Sequence, residues 1–241
     1  MSTKDPEQAE LDALLGKPQS ESSKAALRQQ AEALESKLQQ LPEDTPALQK
    51  AGMMLDLSGL LVAQETKGTA EDSWRYAREA FDIFLEHEAW SEAVKACDML
   101  FEADQPASVA ALANGTWLAV TWPVPAEQTV RMLEHIVDDT PEKSDGAAVA
   151  AIAAHYIADI RCSDEKQHNS LTFMTRNLVA SVAQRHGKVK NQQEMDLWIE
   201  RLGLTEPETF LPRLGRILDL MAGDQWWYDR DAIRAKLPAD G

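Results

Sequence analysis

Residues 90–104, which read WSEAVKACDMLFEAD, have the apolar spacing of an amphipathic helix. The inward positions recur every three or four residues and are Ala93, Val94, Cys97, Leu100 and Phe101. This period is that of an α-helix with one buried face. Pro106 follows closely, and because proline fits only the first turn of a helix, it marks the boundary between this helix and the next.

The same period continues on both sides of this stretch, with breaks at proline, glycine or polar runs. It predicts helices over residues 22–41, 45–66, 69–87, 90–103, 107–120, 126–138, 147–161, 171–186, 194–202 and 206–221, and a last short one within 225–237. Residues 164–170 read as a polar loop. No stretch alternates β-branched and polar residues as a strand does. We therefore predict an all-α fold of about ten to twelve helices.

The breaks are regularly spaced, near positions 43, 68, 89, 105, 123 and 143, so that helix pairs recur at about 34 to 46 residues. This is the period of helix-turn-helix arrays, which predicts antiparallel helix pairs stacked on one another. Residues 22–238 would form this repeat-like domain, and residues 1–21 a flexible tail with a short amphipathic helix. Within the domain Gly52 and Gly59 lie seven residues apart, which predicts that another helix packs closely there.

Residues 90–106 resemble the second helix of a tetratricopeptide repeat, in which an aromatic residue precedes a Glu-Ala pair and Pro ends the unit. Trp90, Ala93, Cys97, Leu100 and Pro106 occupy or neighbour those places. The preceding helix departs from the pattern, because Ala77 and Ala80-Phe81 stand where the family has Trp and Leu-Gly. The resemblance implies an array with a concave surface that receives a peptide or a partner helix, without catalysis.

The charge of the chain limits its partners. Forty acidic residues face 24 Lys and Arg, giving a net charge of −16, which argues against nucleic-acid binding because phosphates require a basic surface. Eleven of the acidic residues lie between Gln64 and Asp104. They form either a solvated outer face or an acidic groove for a partner protein with a basic surface. A homo-oligomer is also compatible with the sequence.

Location is inferred from the N-terminus and the cysteines. The first residues lack the basic start and apolar core of a secretory signal, and no apolar run reaches the roughly 18 residues of a membrane span. Cys97 and Cys162 are the only cysteines, too few for a disulfide framework. These features predict a cytoplasmic protein without a membrane span.

The sequence holds no common catalytic signature, and we expect neither an enzyme nor a bound cofactor or metal. The alternative is a metal- or cofactor-binding helical protein. Its candidate ligands are His155, Asp159, Cys162 and His168, which cluster at a helix end and the following polar residues. Their ordinary interpretation is a histidine at the edge of the core beside a carboxylate. His135 is expected at an exposed tip.

Two short stretches are candidates for partner binding. Leu11, Leu14 and Leu15 have i, i+3, i+4 spacing beside acidic residues, typical of a helix that docks in a partner's groove. Residues 8–16 resemble the acidic-leucine peptide of bacterial flagellar switch proteins, which implies a response regulator as partner; a solubilising tail is the other interpretation. Trp226, Trp227 and Tyr228 either cap the end of the array or form a docking patch.

Together these patterns predict a non-catalytic protein–protein interaction module: an adaptor, an assembly factor or an accessory subunit of a larger bacterial complex. The metal- or cofactor-binding protein and the response-regulator binder remain the alternatives.

Overall fold

A computed structural model describes residues 21–64, 66 and 68–237 of the chain. In this part it is all-helical, with eleven helices and no strand, as predicted. The helices are α1 (Glu21–Gln39), α2 (Ala47–Val62), α3 (Thr69–Glu86), α4 (Trp90–Glu102), α5 (Ser108–Thr121), α6 (Ala126–Asp139), α7 (Asp145–Arg161), α8 (Glu165–Gly187), α9 (Gln192–Arg201), α10 (Pro207–Ala222) and α11 (Arg230–Arg234). No helix of this part is long and apolar enough to cross a membrane.

The predicted start of α8 is wrong. Residues 165–170 belong to α8 rather than to a polar loop, so α8 begins six residues earlier than predicted. The reason is a cap: the Asp164 carboxylate accepts a hydrogen bond from the backbone N–H of Gln167 at 2.8 Å. This satisfies a free donor in the first turn, which allows a polar stretch to begin a helix.

The helices are arranged in two layers. From α1 to α8 each helix packs against the next, so the array consists of antiparallel pairs. Helices α2, α4, α6 and α8 also contact one another in succession and form the first layer. Helices α3, α5 and α7 form the second layer, in which α10 packs against both α5 and α7. The C-terminal part of the chain thus folds back onto the second layer.

Small residues at the centre allow this close packing. Most of α7 is buried, and its buried residues are largely alanines. In α5, a Cβ built on Gly115 would lie 2.4 Å from Cys97 Cβ and 2.7 Å from Met132 Cε. Only glycine lets α5 approach α4 and α6 so closely. The close helix packing predicted at Gly52 and Gly59 is wrong, because a Cβ at Gly59 would lie in ordinary contact, 3.6 Å from Met99 Sδ of α4, and a Cβ at Gly52 would face open space.

Candidate functional site

The predicted leucine docking peptide cannot be placed. Leu11, Leu14 and Leu15 lie outside the described residues. Their role, including the response-regulator hypothesis for residues 8–16, stays a prediction.

The three adjacent C-terminal aromatic residues pack against the chain itself. Trp227 meets Phe81 of α3 edge to face, with ring centroids 5.3 Å apart. The Tyr228 ring lies 5.6 Å from that of Trp117 in α5, and burial raises the pKa of Tyr228 well above its usual value. Trp226 is half-buried beneath the Arg230 guanidinium, which lies 3.9 Å from its ring centroid. These contacts hold the C-terminal segment on the second layer, and a docking role for the three rings stays a prediction.

Asn114, a fully buried residue of α5, anchors the same segment. Its side-chain amide donates to the carbonyl oxygen of Gln225 at 3.0 Å, and its side-chain oxygen accepts from the backbone N–H of Trp227 at 3.1 Å. The Tyr228 hydroxyl donates to the Asn114 backbone carbonyl at 2.7 Å. One polar side chain inside the array therefore fixes where residues 225–228 lie.

The four candidate metal ligands do not converge. His155 Nδ1 is hydrogen-bonded to Thr175 Oγ1 at 3.0 Å, and His168 Nε2 to Asp159 Oδ1 at 3.0 Å, while Cys162 packs against the core. Burial lowers the pKa of His155, aided by the positive charge of Arg176. Among the described residues, the one group of three or more potential ligands within mutual reach lies elsewhere, at Asp98, Glu102 and His135.

That group joins α4 to α6 through one arginine. Arg131 Nε donates to Asp98 Oδ2 at 2.6 Å, and its Nη2 donates to Glu102. His135 Nε2 lies 2.8 Å from the other oxygen of Asp98, so both oxygens of this largely buried carboxylate are engaged. The expectation of an exposed His135 was therefore wrong, because α4 packs beside α6 and supplies the carboxylate.

The carboxylates of this group stabilise the charged form of Arg131. Burial alone would lower the pKa of Arg131, but the charges of Asp98 and Glu102 outweigh it and raise the pKa. A metal ion at these carboxylates would have to compete with the Arg131 guanidinium. The cluster is thus a salt-bridged link between two helices of the first layer, and we assign no metal to it.

The surrounding face is strongly acidic. Helices α4 and α6 together carry seven carboxylates and two cations, Lys95 and Arg131. Burial raises the pKa of Glu134, and the nearby charge of Asp138 adds to this rise. The smaller effect of Asp138 indicates that a second carboxylate lies near Glu134, and two neighbouring carboxylates favour binding of a positive group.

An open groove lies beside the acidic face, between α2 and α4. Its volume is about 490 Å³. Apolar residues line most of it, namely Leu48, Gly52, Leu55, Phe84 and Ala89. Leu48 is 43% exposed although it is a large apolar residue. Asp56, Glu92 and Lys95 stand at the polar edge of the groove.

The acidic face of α4 and α6 could be predicted from the sequence only in part. The composition of residues 65–104 predicts an acidic region, but it does not predict the link between α4 and α6. A usable signal existed: Asp98 and Glu102 are four residues apart on one helix, as are Arg131 and His135 on another. Such spacing places each pair on one helical face.

The fold and the site define an all-α array of stacked helix pairs that has an apolar groove beside an acidic face. No protein-family model matches the chain, no curated protein matches it, and no solved structure matches it.

Proposed function

We propose that the chain is a non-catalytic protein–protein interaction module, acting as an adaptor, an assembly factor or an accessory subunit. Its first layer would bind a basic amphipathic segment of a partner protein. The observation that carries this proposal is the apolar groove between α2 and α4, which opens beside the carboxylates of α4 and α6.

The apolar part of the groove supplies the anchor. Gly52 leaves its centre open, since no atom lies within 4 Å of the position of a Cβ there. A volume of about 490 Å³ accommodates a large apolar side chain of the partner together with part of its backbone. Full burial of such a side chain contributes about 1.5–3 kcal/mol.

The acidic part of the face supplies selectivity. Glu92 stands at the groove and Glu102 three turns further along α4, so a bound segment would pass both carboxylates. Cations on the partner would be attracted and acidic segments repelled, which sets partner choice and association rate more than affinity. The resemblance of residues 90–106 to a tetratricopeptide helix supports the same mode of binding.

Selection from a displayed library of random peptides, with the full-length protein as bait, tests this proposal. We expect enriched peptides that contain Lys or Arg beside a large apolar residue. Gly52→Leu, which fills the groove, should remove their binding. The matched control is Gly215→Leu in α10, another helical glycine with open space at its Cβ.

The charge is tested in the same way. Glu92→Arg should weaken the selected peptides, whereas Glu208→Arg, the same change in the first turn of α10, should not. Enrichment of acidic peptides, or of peptides that bind all four variants equally, would refute the proposal.

A further inference from the structure

The outward face of α8 exposes large apolar side chains at the end of the first layer. Phe173 is 66% exposed and Met174 is 50% exposed. The terminal units of helical arrays are expected to have polar outer faces, because no further unit covers them. Helix α8 does not meet this expectation, and its two adjacent exposed side chains make the outward face a candidate contact surface.

The charge of this region is opposite to that of the protein as a whole. Residues 165–190 contain five Lys or Arg and one acidic residue, Glu165, in a chain of net charge −16. Lys166, Arg176, Lys188 and Lys190 are exposed, and no salt bridge joins any of them to the described residues. An acidic, leucine-rich segment is therefore the complement of this face.

The chain itself contains such a segment. Residues 5–16, DPEQAELDALLG, carry four carboxylates and no Lys or Arg. Leu11, Leu14 and Leu15 would share one side of a helix there, and their spacing calls for an apolar surface. These residues lie outside the described part of the chain.

We propose that the outward face of α8 binds residues 5–16 of a second copy of the chain. Within one copy the seven residues from Leu14 to Glu21 span at most about 25 Å. Helix α1 packs on α2, so the path from its start to α8 crosses four helix spacings of about 8–10 Å each, roughly 32–40 Å. Leu14 and Leu15 of the same copy thus fall short.

In a symmetric dimer each copy would give its segment to the other, and both contacts would be equivalent. The leucines would cover Phe173 and Met174, and the carboxylates would lie near Arg176 and Lys166. This contact uses a different surface from the groove between α2 and α4, so it stands or falls independently of the proposed function.

Sedimentation of the full-length protein over a range of concentrations tests the proposal. We expect a dimer that weakens as salt is added. Each substitution removes one buried apolar side chain from both equivalent contacts, so Leu14→Ser and Phe173→Ser should each raise the dissociation constant about 10²- to 10⁴-fold. The matched control is Leu220→Ser on α10, where the leucine is 85% exposed and should have no effect.

Mixing the two variants gives the sharpest result. Phe173→Ser chains retain the segment and Leu14→Ser chains retain the α8 face, so an equimolar mixture should regain a dimer with one intact contact. Arg176→Glu, a charge reversal on an exposed side chain, repeats the test without changing the packing. A monomeric wild-type protein, a dimer insensitive to Leu14→Ser, or a mixture that regains nothing would each overturn the proposal.

Discussion

Replacement of Gly115 by alanine tests the close packing at the centre of the array. The new Cβ would lie 2.4 Å from Cys97 Cβ and 2.7 Å from Met132 Cε, far inside ordinary contact distance. Met132 has a flexible end that can move. Cys97 Cβ is fixed to the backbone of α4, so α4 and α5 must separate.

The expected cost follows from two opposing terms. Overpacking of a tight core costs about 1–3 kcal/mol and occasionally more. Alanine also favours the helix over glycine by about 1 kcal/mol. Because the clash involves a backbone-fixed atom, the first term is expected at or above its upper end, for a net loss of about 2 kcal/mol or more in the free energy of unfolding.

Urea unfolding followed by circular dichroism measures this difference, with Gly215→Ala as the matched control. Gly215 lies inside α10 with no atom within 4 Å of its Cβ position, so alanine there should stabilise the protein by up to about 1 kcal/mol. The two variants should thus change stability in opposite directions. If Gly115→Ala is as stable as the wild type, the predicted clash between α4 and α5 is wrong.

Three further predictions concern single polar groups. Asn114→Ala leaves the Trp227 N–H and the Gln225 carbonyl without their partner, so it should lower the free energy of unfolding in urea by about 2–4 kcal/mol and speed hydrogen exchange in residues 223–234. The control Asn177→Ala, at an exposed position, should be neutral, and equal effects of the two substitutions would contradict the anchoring role of Asn114. Arg161→Met removes donors to the carbonyl oxygens of Ala119 and Val120, both at 2.6 Å, and should lower thermal stability by about 2–4 kcal/mol, whereas the exposed Arg216→Met should not. Burial lowers the pKa of His155, so below about pH 6.5 the unfolded state binds more protons than the folded state, and stability decreases as the pH is lowered. His155→Gln should flatten this decrease, and an unchanged pH profile of stability would argue against the role of His155.

The fold class could be predicted because the spacing of apolar residues within each segment is enough to indicate a helix. The stripe of α4, from Ala93 to Phe101, needs no knowledge of its neighbours, and Pro106 marks its end. The start of α8 was missed because Asp164 stabilises a polar first turn by capping, which apolar periodicity does not register. Apolar periodicity therefore predicts a helix boundary where apolar side chains extend to it, and it fails where a single capping carboxylate sets the boundary.

The acidic face could be predicted only in part. The excess of carboxylates is a property of composition, but the bond between Asp98 and Arg131 joins residues 33 positions apart. Which helix of the array lies beside α4 depends on how the pairs stack, and no local rule gives that. The sequence therefore predicts a surface position for His135, whereas the structure places it against Asp98 of α4.

The position of the C-terminal segment was the least predictable feature. Its main anchor, Asn114, lies more than 110 residues before the groups that it binds. In the sequence this asparagine is a polar residue inside an apolar helix, with nothing to indicate its partner. A buried asparagine must find hydrogen-bonding partners, so its presence predicts some tertiary contact without naming one.

The two layers of the array differ in what a partner would have to displace. On the second layer, Trp227 and Tyr228 are packed on α3 and α5 and tied to Asn114, so a ligand there would first have to expose buried rings and unpaired polar groups. On the first layer, the groove at Gly52 is already open and borders carboxylates. Binding to a preformed groove avoids the cost of rearrangement. The lower cost of rearrangement therefore favours the first layer as the surface that binds a partner. Variants that loosen the C-terminal segment should lower the stability of the protein but should not abolish peptide binding at the groove.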